Sequence, residues 1–127
     1  MRTTLLAALA AIVSCTTATA AEPDGAALFA NHCAACHGAT GEGDGPVAGV
    51  MSITVPNLRT LARRNGGELP EDRIAAYIDG RAPNDAHGGR QMPIWGDVFR
   101  VSQDGDEDVV AARIKVLVWF ISELQYR

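Results

Sequence analysis

The chain has little of what most function classes require. Only three of its 127 residues are cysteine and 6% are aromatic. Three cysteines cannot build a disulfide framework. The longest uncharged apolar run, Leu5 to Val13, has nine residues, too few to cross a bilayer as a helix. Bases are outnumbered by acids, eleven to fifteen, for a net charge of −4. That balance argues against nucleic acid and anionic membranes as partners. No internal repeat or low-complexity tract follows residue 20, and no alternating apolar stretch is long enough for a useful strand.

What is present begins at the N-terminus. Met1 and Arg2 form a minimal basic start, Leu5 to Val13 an apolar segment, and Ala18-Thr19-Ala20 a small-x-small site. That order is the layout of an export signal. A buried N-terminal helix is the alternative, but Glu22-Pro23 follows at once and the small-residue tail lacks an apolar helical face. Residues 1–20 are therefore read as a signal peptide and residues 21–127 as one domain. Cleavage removes Arg2 and leaves ten bases against fifteen acids, a net −5. A partner with a basic docking face suits such a domain, and a monomer is expected. Ile12-Val13-Ser14-Cys15 resembles a lipoprotein processing box, in which Cys15 becomes a lipid anchor. Cleavage after Ala20 discards it, and the shortness of a signal ending at Cys15 favours that outcome.

The remaining pattern is helical, punctuated by glycine at Gly38 to Pro46, Gly66-Gly67 and Gly88-Gly89. A first helix is predicted from Asp24 to Cys36, with Asp24 as N-cap and Leu28, His32 and Cys36 on one face. A short helix follows Pro56-Asn57, with Leu58 and Leu61 inward and Asn65-Gly66 as its stop. Pro70 opens another, ended by Gly80, with Ile74, Tyr77 and Ile78 as its apolar stripe. In the C-terminal helix, Asp104, Asp106, Glu107 and Asp108 crowd the first turn, where the helix dipole favours negative charge. Val110, Ile114, Leu117, Val118, Ile121 and Leu124 form its inward face, broadened by Trp119 and Phe120. The stretch from Arg81 to Trp95 has no period. A loop of that length in so small a domain is functional or disordered, and this one holds His87, Met92 and Trp95.

Cys33-Ala34-Ala35-Cys36-His37 is the c-type haem attachment pattern. Two cysteines three positions apart on a helical turn reach the two vinyl groups of one haem edge. The next residue, His37, then lies beneath the ring with a nitrogen toward iron. A thioredoxin-type redox pair would need a βαβ context. A structural zinc site needs four ligands, and only His32 and His87 remain to join these three. One covalent haem c on Cys33 and Cys36 is the expected cofactor.

Met92 is expected as the second iron ligand. Gln91-Met92-Pro93 lies in the unpatterned loop, and Pro93 both stiffens it and removes an N–H that a haem pocket would have to satisfy. His87 is the alternative, because imidazole also binds iron. Met51, fourteen residues from His37, is read as core. The second nitrogen of His37 needs an acceptor, and Gly45-Pro46, nearby in sequence, is the expected source. Trp95, Arg59, Arg63 and Arg90 are candidates for the haem propionates.

The chain resembles the monohaem class I c-type cytochromes of the bacterial periplasm. The likeness lies in the first helix ending in CAACHG, the GEGDGP loop, the PNL segment, the MPIWG stretch and the aromatic C-terminal helix. It implies an all-α cytochrome c-like fold of four to five helices around one haem, with His37 and Met92 as axial ligands. It also implies that Gly25 and Phe29 cross the C-terminal helix near Trp119 and Phe120. Arg81 to Gln91 departs from the family pattern in its Gly, His and Arg content.

With both axial positions filled, the expected function is periplasmic electron transfer between donor and acceptor proteins, without enzymatic activity. Two alternatives stand. One is a haem enzyme or gas sensor with a labile sixth ligand. The other is a haem subunit of a dehydrogenase or oxidase complex, anchored through Cys15.

Overall fold

The computed structural model describes residues 23–82 and 91–126. The segment expected to be a signal peptide, Cys15, His87 and Arg90 lie outside them. The described residues form six α-helices and two short 3-10 turns, with no strand. The all-α expectation holds.

Helix α1, Gly25–His32, is capped by Asp24, whose carboxylate accepts from the Ala26 amide at 2.9 Å. The chain loosens for one residue at Cys33 (φ −113°) and resumes as α2, Ala34–His37. One continuous helix was expected here. The break is slight, because His37 N still bonds Cys33 O at 2.9 Å. Gly38, with φ +80°, then turns the chain into the glycine loop.

The 3-10 turn Leu58–Thr60 leads into α3, Leu61–Arg64. Asn57 caps it by accepting from Arg59 N. Helix α4, Glu71–Asp79, ends where Gly80 adopts a left-handed conformation. Its Ile78 is buried and Ile74 half-buried, but Tyr77 is 49% exposed and leaves the predicted stripe. Helix α5, Trp95–Val101, has no counterpart in the sequence reading. Two turns are too short for a period to register.

Helix α6, Glu107–Glu123, is the core's backbone. Asp106 caps it by accepting from the amides of Asp108 and Val109. Val110, Ile114, Leu117, Val118 and Ile121 are buried as predicted. Trp119 is not part of that face and is 61% exposed. It follows Leu117 and Val118 by 200° and 100° around a 3.6-residue turn, which carries it to the solvent side. Phe120 does turn inward, its ring 5.1 Å from that of Phe29.

Helices α1 and α6 cross at Gly25. A β-carbon there would press into the carbonyl oxygen of Val116 and lie 3.1 Å from Phe120 Cβ. The expected Gly25–Phe29 crossing is therefore present, against Val116 and Phe120 rather than Trp119. Alanine is about 1 kcal/mol better than glycine inside a helix. Overpacking typically costs about 1–3 kcal/mol, and a backbone oxygen cannot swing away as a side chain can. Gly25→Ala should therefore destabilise the fold by up to about 2 kcal/mol, measurable by chemical denaturation. An unchanged midpoint would show that the helices separate freely.

Candidate haem-attachment site

Cys33, Cys36 and His37 share the α1–α2 turn. No disulfide joins the cysteines; Cys33 is buried and Cys36 half-buried. Burial, and secondarily Cys36, push the Cys33 thiol up to about 11. A redox-active CxxC pair needs the opposite, a thiol lowered toward neutrality. The described residues also lack the strand context of that fold. Nor do any three His, Cys, Asp or Glu side chains among them converge on a metal. The pair fits attachment to a porphyrin edge better than disulfide exchange or zinc.

His37 is 9% exposed. Its Nδ1 donates to the carbonyl oxygen of Pro56 at 3.3 Å. A carbonyl can only accept, so the proton is on Nδ1 and Nε2 keeps a lone pair for a metal. Burial lowers the pKa of the imidazole and outweighs the opposing bond to Pro56. The ring is thus held neutral, the form that binds iron.

The acceptor is therefore not Gly45-Pro46. Those residues serve the motif differently: Gly45 N bonds Cys36 O at 3.1 Å and Val47 N bonds Ala35 O at 3.0 Å. Their amides are spent on the motif's backbone, while the acceptor arrives from nineteen residues beyond His37. Gly43 makes this possible. Its amide bonds His37 O at 2.7 Å. At φ +85° it sits so close to the returning chain that a β-carbon would lie 2.5 Å from Val55 O and 3.2 Å from Pro56 C. The glycine loop is the spacer between histidine and proline. Pro56 in the PNL segment was the available signal, but sequence distance pointed to the nearer proline.

Met92 is half-buried and packs on the cluster that contains Cys33, Phe29, Phe99 and Leu117. Its neighbour Gln91 donates from Nε2 to Ser52 Oγ, joining this stretch to the segment after α2. The stretch continues into α5, whose Trp95 and Phe99 rings lie 5.1 and 5.4 Å from that of His32. This aromatic group, absent from the sequence reading, ties α5 to the turn that carries the cysteines. His37 and Met92 are the two side chains here that could hold haem iron.

Among the propionate candidates, Arg59 has protein partners for only part of its guanidinium. Its Nη1 is 3.3 Å from Glu42 and its guanidinium lies 4.2 Å over the Tyr126 ring. Its Nε is buried without a partner. Arg64, not singled out by the sequence, donates to Asn57 O at 2.9 Å. Gln125 was also missed. It accepts from Ala62 N at 3.0 Å and donates to Leu58 O and Ile121 O, each at 2.8 Å, stapling the C-terminus to the PNL segment.

These features define an all-α haem protein with its cofactor attached through two cysteines. The cytochrome c family profile matches residues 23–111, and the chain belongs to that family. Its covalent c-type haem is carried by Cys33 and Cys36, and its activity is haem-based electron transfer. No curated protein and no solved structure matches the chain. Among the described residues no helix is long and apolar enough to cross a membrane.

Proposed function

We propose that the chain is an exported, periplasmic electron carrier in which His37 and Met92 fill both axial positions of one haem. The observation that carries this is the packing of Met92 on the buried cluster that includes Cys33. A thioether held beside the attachment cysteine, and not in solvent, supports the ligand reading. The bound haem supplies a reversible ferric/ferrous couple. The chain's own residues do the rest. Pro56 orients His37 and strengthens it as a donor. Met92 favours the ferrous state and so raises the reduction potential. With both ligands protein-derived, no position is left for a substrate, so the chain acts as a carrier and not an enzyme.

Partner contact would centre on the surface beside the attachment turn. Val47, Val50 and Ile53 are exposed there, Val50 by 85%. An apolar patch on an acidic domain suits brief docking of a protein with a basic rim. The layout of residues 1–20 supports export, with the mature chain starting after Ala20.

Absorption spectra in both redox states test the reading. A low-spin spectrum with a ferric methionine–iron charge-transfer band is expected. A high-spin spectrum with rapid carbon monoxide binding would instead favour a haem enzyme or sensor. The mass of the mature N-terminus separates a chain starting at Ala21 from one lipidated at Cys15.

A further inference from the structure

Met92 lies in the segment that connects the end of α4 to the start of α5. Both junctions meet at one side chain. Arg81 forks onto Asp79, with Nε 2.7 Å from Oδ1 and Nη2 3.0 Å from Oδ2. Its Nη1 reaches both carboxylate oxygens of Glu107, each at 2.8 Å. Asp79 ends α4 and Glu107 begins α6. The Arg81 amide also donates to Asp79 Oδ1 at 3.2 Å, which fixes the turn out of α4.

Helix α5 packs onto this group through Gly96. A β-carbon on Gly96 would press into Asp79 Oδ1 and lie 2.6 Å from Arg81 Nε. Glycine is a poor residue for the second position of a two-turn helix. Its presence there is explained by the approach of α5 to the ion pair. One guanidinium therefore binds the end of α4 and the start of α6, and the start of α5 rests against it. Residues 82–95, with Met92 among them, run between its backbone and Gly96.

We infer that Arg81 is a positioning residue for the axial methionine: with Asp79, Glu107 and Gly96 it sets both ends of the stretch that delivers Met92. This rests on the proposed coordination by Met92. The group is partly exposed, with Arg81 and Asp79 side chains each 29% accessible and Glu107 56%. Exposed pairs contribute little to global stability. The fork's value is geometric, because a planar guanidinium holds two carboxylates in fixed directions. Losing it should ease local opening of the methionine stretch more than global unfolding.

The test uses the ferric holoprotein with imidazole as the competing ligand. Loss of the methionine–iron charge-transfer band gives the replacement rate, and chemical denaturation gives global stability. Arg81→Gln should raise the replacement rate about five- to tenfold, with Gly96→Ala moving it in the same direction. Arg81→Lys should recover only part of the wild-type rate, since lysine lacks the fork. Gln125→Ala is the control. It loosens the C-terminal staple, so it should lower the denaturation midpoint and leave the replacement rate within about twofold of wild type. If Arg81→Gln raises the rate no more than Gln125→Ala does, the positioning role is overturned while Met92 coordination stands. If the wild-type protein has no such band, Met92 coordination fails and the positioning role falls with it.

Discussion

Replacing both Cys33 and Cys36 by alanine should yield a chain that carries no haem through a denaturing gel and has lost much of its helix. The first half follows from chemistry, because the family's thioether bonds form only at these sulfurs. The second follows from the size of the core. Only ten apolar side chains among the described residues are buried, and Cys33 is one of them. A domain this small buries a modest share of its surface. Helices α2 and α3 have four residues each, far below the length at which an isolated helix persists in water. They need something to pack on, and a covalently held porphyrin is a large apolar object that cannot diffuse away. Haem staining after denaturation and far-ultraviolet circular dichroism check the two halves separately. Haem retained through denaturation would refute attachment at these positions. Wild-type helicity without haem would show that the α1–α6 crossing is sufficient alone.

Met92→Ala should move the ferric haem away from a sulfur-ligated, low-spin state and lower the reduction potential on the order of 100 mV or more. Thioether sulfur is a soft donor that stabilises ferrous iron, so its loss favours the ferric form. The vacated position should then bind carbon monoxide or imidazole readily. Truncation in a partly buried site also costs packing, because Met92 touches the main cluster. Methionine tolerates substitution better than branched side chains do, so the fold should survive for measurement. Potentiometry and the charge-transfer band are the readouts. A variant with an unchanged spectrum would exclude Met92 and return attention to His87.

How much could be read before the fold was known depended on range. Asp24 was legible as a cap because a cap is settled within three residues, whereas the structure itself assigned the caps at Asn57 and Asp106. The inward face of α6 was legible because seventeen residues are long enough for a period to register. Trp119 was misread because its hydrophobicity was weighed above its angular position, which lies opposite the buried face. Helix α5 was invisible for the opposite reason, its two turns being held by contacts to His32 and to the Asp79–Arg81 pair.

Attachment and orientation divide along the same line. The sequence by itself determined the cofactor and its anchor, since Cys33, Cys36 and His37 act within a single helical turn. It also determined that the fold is helical and that Met92 lies in a proline-stiffened stretch. Only the tertiary structure decided which carbonyl holds His37, because Pro56 comes from nineteen residues away across a glycine spacer. It also decided that one arginine joins the ends of α4 and α6 at the base of the methionine stretch, with α5 against it. Covalent bonds and helical turns are local and write themselves into spacing. The angle at which a ligand is held depends on hydrogen bonds and close approaches between distant segments, and no spacing encodes those.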